Sequence, residues 1–140
     1  MPEPIVVRPG VLVPSDALTF HAVRSGGPGG QNVNKVASKV ELRVDLTQVQ
    51  GLDGGARERL RALCATSLDA DGQLLVTSQR TRDQRMNLED AREKVRVLVA
   101  RALVRPRPRR PTRPTKGSVQ RRLDDKKRRA KTKSGRRGED

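Results

Sequence analysis

Residues 38–46 read SKVELRVDL, and apolar and charged side chains alternate along this stretch. Every second residue is apolar, namely Val40, Leu42, Val44 and Leu46. The residues between them are charged, namely Lys39, Glu41, Arg43 and Asp45. Successive side chains of a β-strand point to opposite faces of a sheet, so one face here is apolar and the other is polar. The stretch therefore predicts a strand with one face against a hydrophobic core and the other in solvent.

Patterns on both sides of this strand predict the remaining elements. Further strands are predicted at residues 18–24 and 73–79, with a short edge strand within 5–13. Residues 56–68 and 84–103 have apolar side chains at helical spacing. The predicted buried positions of the two helices are Leu60, Leu63, Cys64, Leu88, Ala91, Val95, Leu98, Val99, Ala102 and Leu103. The predicted fold is α/β: a small α/β sandwich with a mixed or antiparallel sheet and two helices packed on one face.

Positive charge is concentrated in the last quarter of the chain. The net charge is +15, and residues 105–140 contribute 16 Lys and Arg against 4 Asp and Glu, a net of +12. We therefore expect a folded domain at 1–104, a linker rich in proline and arginine at 105–117, and a basic tail at 118–140 with Ser118 as a possible helix N-cap. Like charges and a lack of apolar residues predict that the free tail is disordered and becomes helical against a polyanion.

Several classes of function are disfavoured by composition. The chain has one histidine, His21, and one cysteine, Cys64, so a Cys/His or Ser/His catalytic arrangement has little to draw on. We interpret His21 as a surface or core-edge residue and Cys64 as part of the core. No metal-ligand cluster and no Walker A motif is present in the sequence, and we expect no cofactor. If the chain is an enzyme, its nucleophile is water or comes from the substrate.

Location and partner follow from charge and from what the sequence lacks. A strongly basic chain indicates nucleic acid or an anionic surface as its partner. We see no export or organelle signal and no apolar run long enough to span a membrane, and a single cysteine suits a reducing compartment. We therefore expect a cytoplasmic protein with no membrane partner.

A glycine-rich segment, SGGPGGQNVNK at residues 25–35, precedes the central strand. Composition alone leaves a flexible hairpin linker and a catalytic loop about equally supported. The longer stretch RSGGPGGQNVNKVASKVELR resembles the Gly-Gly-Gln loop of the class I release-factor family. The stretch RRPTRPTKGSVQRRLDDKK, at 109–127, resembles the tail of the alternative ribosome-rescue factor B (ArfB, or YaeJ) group within that family. The resemblance extends from about residue 11 to residue 138.

This resemblance implies hydrolysis of the peptidyl-tRNA ester in the ribosomal peptidyl-transferase centre. Gly29 and Gly30 would let the backbone approach the tRNA 3′ end closely. The backbone N–H of Gln31 would then donate to developing negative charge, an interaction worth about 3–4 kcal/mol. Its side chain would shape the space for the attacking water, and the 2′-hydroxyl of the tRNA would relay the proton. Relatives often have histidine at position 32, whereas this chain has Asn32, so no catalytic role is carried over to that position.

The resemblance also implies contacts with rRNA and tRNA. Arg24, Asn34 and Lys35 flank the loop, although Arg24 could instead be a solvated strand end and Asn34 could equally well bond to its own turn. In the tail, the matching positions are Arg122, Leu123, Lys126, Lys133 and Arg136. The implied partners are the stalled ribosome, at the large-subunit peptidyl-transferase centre and the small-subunit mRNA entry channel, with peptidyl-tRNA and rRNA. We expect a monomer.

Two alternatives remain open at the level of sequence. The chain could be a non-catalytic, basic RNA-binding protein, in which case Gln31 would not matter. It could also hydrolyse peptidyl-tRNA without sensing the message, in which case the tail would provide only general adhesion to RNA.

Overall fold

The computed structural model of the chain describes residues 2–24 and 37–138. The strands are β1 (Ile5–Arg8), β2 (Val11–Val13), β3 (Leu18–Val23), β4 (Lys39–Val44) and β5 (Leu74–Ser78). The described α-helices are α1 (Gly54–Cys64), α2 (Gln84–Leu103) and α3 (Lys116–Arg137). Residues 1–106 and 107–140 form two compact units. No helix in the described part of the chain is both long and apolar enough to cross a membrane.

The central strand is β4, as the alternation in SKVELRVDL predicts. It pairs antiparallel with β3 on one side and β5 on the other, giving the order β3-β4-β5. Val40, Leu42 and Val44 are completely buried, while the charged residues between them are partly exposed. The predicted α/β fold is confirmed, and its sheet is antiparallel.

The N-terminal strands form a sheet of their own. β1 and β2 pair with each other antiparallel, with Ile5 opposite Val13. Gly10 lies between them with a φ of 81°, a left-handed conformation that glycine adopts without strain and that helps the chain reverse here. Residues 5–13 were expected to form one edge strand of the main sheet, and this detail is wrong because the turn divides them into a hairpin.

Both helices of the folded unit begin at an aspartate cap. The side chain of Asp53 accepts a hydrogen bond from the N–H of Ala56 at 2.7 Å, and Asp83 similarly caps α2. The Ala56 N–H bond, followed by a bond from Arg105, lowers the pKa of Asp53. Arg105 lies beyond Val104, so the folded unit continues slightly past the predicted end of the domain.

The buried faces of the helices differ in detail from those predicted. In α1 the buried residues are Ala56, Leu60 and Cys64, whereas Leu63 is exposed at the edge of this face. In α2 the buried line is Asn87, Ala91, Val95, Val99 and Ala102. These are steps of three or four residues, which follow one side of a helix. Leu88, Leu98 and Leu103 are only partly buried and flank that line.

The basic tail contains a long helix. α3 begins after Thr115, whose hydroxyl accepts from the N–H of Ser118 at 3.2 Å, so Thr115 is the N-cap instead of Ser118. Apart from the half-buried Ser118, the described residues of α3 are exposed. The structure thus shows a helix in the chain alone, whereas the sequence predicts disorder for the free tail. The cap and the absence of proline after Pro114 are the local reasons for the helix.

Candidate functional site

The predicted catalytic tripeptide lies outside the described residues. This holds for Gly29, Gly30 and Gln31, and also for Asn34 and Lys35 beside them. Arg24 is described: it follows the last residue of β3 and is exposed. The structure therefore informs this site through the described residues on either side of the loop.

Both ends of the loop are held by the antiparallel pairing of β3 with β4. The pairing runs from Leu18 opposite Val44 to Val23 opposite Lys39, which is the pair nearest the loop. On the same strand, Lys39 forms an ion pair with Glu41 at 3.2 Å. Because β4 is also the central strand, its position is fixed from both sides. The segment that carries the Gly-Gly-Gln sequence thus connects the ends of two paired strands, β3 and β4.

A second attachment lies one residue before β4. The side-chain amide of Asn87, in the first turns of α2, donates from Nδ2 to the backbone oxygen of Ser38 at 2.7 Å. The same nitrogen donates to the backbone oxygen of Thr81 at 2.9 Å, and Oδ1 accepts from the Thr81 N–H at 2.8 Å. The sequence analysis missed Asn87. The signal for it was a polar residue four positions before Ala91, on the buried side of an otherwise apolar helix.

A neighbouring network attaches α2 to the end of β5. Asp90 accepts hydrogen bonds from Ser78 Oγ at 2.7 Å and from Lys94 Nζ, 2.8 Å away. The bond from Lys94, followed by that from Ser78, lowers the pKa of the Asp90 carboxyl. Lys94 also donates to the backbone oxygen of Thr77 at 3.0 Å. These contacts fix the helix against the sheet next to the Asn87 contacts.

His21 and Cys64, which could take part in a different kind of catalysis, lie where the sequence predicts. His21 is exposed on β3, opposite Glu41. Cys64 is 1% exposed in the core, and desolvation raises the pKa of its thiol, which disfavours the reactive thiolate. Among residues 2–24 and 37–138, no group of three or more His, Cys, Asp or Glu side chains is arranged to hold a metal ion.

The tail residues singled out from the sequence are exposed on α3. At 100° per residue, Arg122, Lys126, Lys133 and Arg136 fall within an arc of about 80°. Arg129 lies on the same arc. We call these five residues the basic face of α3. Leu123 lies beside the basic face and is 47% exposed.

Asp124 and Asp125 form an acidic pair within the otherwise basic α3. Arg121 and Arg128 are at helical spacing from Asp124 and Asp125, yet Asp124 accepts a hydrogen bond from Gln120 Nε2 at 3.0 Å. Among the described residues, neither Asp124 nor Asp125 forms an ion pair with an arginine. The local charge of the pair therefore lowers the net positive charge of α3 without fixing an arginine side chain.

Comparisons with known proteins converge on one family. The family model described as RF-1 domain matches residues 7–137. A protein of Pseudomonas putida, peptidyl-tRNA hydrolase ArfB, is 39% identical over 132 residues, which are 94% of this chain and 96% of that protein. A large ribosomal subunit protein of Mus musculus is 37% identical over 90 residues, 64% of this chain and 44% of its own length. A probable mitochondrial peptide chain release factor 1 of Caenorhabditis elegans is 50% identical over 42 residues, only 10% of its length.

Proposed function

The chain belongs to the RF-1 domain family, and on that premise we propose that it is a peptidyl-tRNA hydrolase that rescues stalled ribosomes. The observation that carries the proposal is the extent of the family match. It begins at residue 7 and ends at residue 137, and so includes both the Gly-Gly-Gln loop and the basic tail. The similarity to the Pseudomonas hydrolase likewise covers nearly all of both chains.

The proposed chemistry is attack of water on the ester that joins the peptide to tRNA. Gly29 and Gly30 allow the backbone to approach the ester, and the Gln31 N–H stabilises the negative charge that develops there. The Gln31 side chain positions the water and excludes larger nucleophiles. The bond between the peptide carbonyl carbon and the tRNA oxygen breaks, the water oxygen joins the carbonyl carbon, and the proton passes to the tRNA oxygen. No cofactor is needed for these steps.

The fold supports this proposal by providing a stiff base for the loop. The pairing of Val23 with Lys39 closes the β3–β4 hairpin, and the contact of Asn87 with Ser38 holds the chain just before β4. A catalytic backbone N–H must be aimed within a narrow range of positions to stabilise a transition state. A loop whose two ends are held by the pairing of β3 with the central strand β4 meets that requirement better than a free linker would.

The tail supplies the proposed recognition of a stalled ribosome. The basic face of α3 presents four predicted contact residues, Arg122, Lys126, Lys133 and Arg136, with Leu123 beside them. Guanidinium and ammonium groups along one side of a helix suit a channel lined by rRNA phosphate. Such a helix would occupy an mRNA entry channel that a truncated message leaves empty. We place the protein, as a monomer, with ribosomes in the cytoplasm, where Arg24, Asn34 and Lys35 contact rRNA or tRNA.

Release in water enriched in heavy oxygen tests the proposed chemistry. Ribosomes stalled at the 3′ end of a truncated message are mixed with the full-length protein, and the released peptide is examined by mass spectrometry. We expect the new C-terminal carboxylate to contain one oxygen from the solvent, because water is the nucleophile. Ribosomes incubated without the protein provide the background. Release of a peptide whose carboxylate lacks solvent oxygen would contradict hydrolysis.

A non-catalytic RNA-binding function is the second candidate. The observation that favours it is the net charge of +15, most of which lies in an exposed tail. Under that function the protein would bind stalled ribosomes and leave the peptidyl-tRNA intact, so the same experiment separates the two.

A further inference from the structure

Asn87 is a buried polar residue with an unusually complete set of partners. It is 0% exposed, and it lies on a helix face otherwise made of alanine and valine. Its Nδ2 donates to two backbone oxygens, of Ser38 and Thr81, at 2.7 and 2.9 Å. Its Oδ1 accepts from the Thr81 N–H at 2.8 Å and from the Thr81 hydroxyl at 3.1 Å. Donors and acceptors on both sides fix the orientation of the amide.

These bonds connect three segments, of which two are neighbours in sequence and the third is distant. Asn87 belongs to α2, Thr81 to the turn that leads from β5 into α2, and Ser38 to the chain just before β4. The separation between Asn87 and Ser38 is 49 residues. Ser38 is seven residues after Gln31 along the chain. The bond to Ser38 therefore acts on the C-terminal arm of the Gly-Gly-Gln loop.

We propose that Asn87 is a positioning residue, which directs the Gly-Gly-Gln loop by holding the Ser38 carbonyl against α2. The proposal rests on the hydrolase function above. The β3–β4 pairing fixes where the loop begins and ends, at Val23 and Lys39. This pairing does not fix the direction of the backbone at Ser38, because Ser38 lies outside the hydrogen-bonded ladder of β3 and β4. The amide of Asn87 fixes that direction, since its donor lies at hydrogen-bond distance from the Ser38 oxygen.

Asn87→Asp changes this contact with almost no change in shape. The oxygen that faces Thr81 remains, so the bonds from the Thr81 N–H and hydroxyl are kept. The donor that faces the Ser38 and Thr81 oxygens is replaced by an acceptor, so the bonds to both of these backbone oxygens are lost. Ser78→Ala is the matched control. Ser78 is also buried, at 2% exposure, and also joins α2 to the sheet through its bond to Asp90, but among the described residues its side chain forms no hydrogen bond with Ser38.

Single-turnover peptide release from stalled ribosomes, measured against protein concentration, tests the proposal. For Asn87→Asp we expect the maximal rate to fall by about 10- to 100-fold, because small displacements of catalytic groups cost that much. We expect the concentration that gives half the maximal rate to change by less than about threefold, because the basic tail dominates binding. Ser78→Ala should keep the maximal rate of the wild type. Circular dichroism should show both variants folded, with the Tm of Ser78→Ala lowered by roughly 4–8 °C and that of Asn87→Asp lowered further, because its carboxylate faces two backbone oxygens in a buried site.

Equal maximal rates for Asn87→Asp and Ser78→Ala would overturn the proposal and leave Asn87 with a purely structural role. If Asn87→Asp does not fold, Asn87→Ser, which leaves room for a bridging water, carries the same expectation. Failure of both variants to fold would likewise assign Asn87 to the core and overturn the proposal. The proposed function has a separate test in the same experiment. It would be contradicted if neither the wild type nor Ser78→Ala released peptide.

Discussion

Gln31→Ala is expected to slow single-turnover peptide release by about 100-fold while the affinity for stalled ribosomes stays within a few-fold. In the proposed mechanism, the substitution keeps the backbone N–H that stabilises developing charge. It removes the side chain proposed to position the attacking water and to exclude larger nucleophiles, so water would be held less often in a reactive geometry. Affinity is retained because most of the positive charge lies after residue 104. The measurement is the release rate at saturating protein, together with binding to stalled ribosomes.

Asn32→Ala is the control for this expectation. It changes the next residue of the same loop, to which no catalytic role is assigned, and it should retain release within a few-fold. A Gln31→Ala protein that releases peptide at nearly the wild-type rate would show that the loop does not carry the chemistry. Equal losses for the two variants would indicate general disturbance of the loop instead of a specific role for the glutamine.

Removal of residues 107–140 is expected to weaken binding to stalled ribosomes by about a thousandfold or more at moderate salt, and to flatten the salt dependence of binding. The deleted segment contains the basic face of α3, whose contacts with phosphate would release counterions. The shortened chain should still unfold cooperatively on heating, because the core residues from Ile5 to Ala102 all lie before the deletion. Retention of Arg105 keeps its contact with Asp53. Binding is measured over a range of salt concentrations, and folding by circular dichroism.

Two charge-matched variants distinguish a specific helix face from general adhesion. Arg122→Ala with Lys126→Ala removes two charges from the basic face, whereas Arg121→Ala with Lys127→Ala removes two charges from other sides of α3. We expect the first pair to weaken binding more than the second, because the proposed binding mode places the basic face against the channel wall. Equal weakening would support adhesion through total charge alone.

The elements that the sequence predicted well are those whose pattern is local. The alternation at 39–45 identifies β4, because burial on one face imposes a period of two on a strand. The apolar side chains at helical spacing in 84–103 identify α2, and the helix in the structure has the same first and last residues. The division of 5–13 into two strands was missed, because it depends on a turn at Gly10 that apolar patterning does not reveal.

The candidate site was predictable from the sequence only through its motif and its family resemblance. Glycines and a glutamine have no reactive group that spacing alone could identify, so Gly29, Gly30 and Gln31 remain predictions. Asn87 was missed because its partners are backbone groups of Ser38 and Thr81, and bonds to backbone leave no complementary side chain in the sequence. The helix in the tail begins at the cap Thr115, three residues before Ser118, which the sequence analysis gave as a possible cap.

The most direct test of the account is the rate of peptide release, at fixed concentration of the full-length protein, against the number of message nucleotides beyond the decoding site. The account predicts rapid release when the message ends at the decoding site. It predicts progressively slower release as the message lengthens, because message and tail need the same channel. Absence of release at every length would contradict the hydrolase function, and an equal rate at every length would contradict recognition of an empty channel.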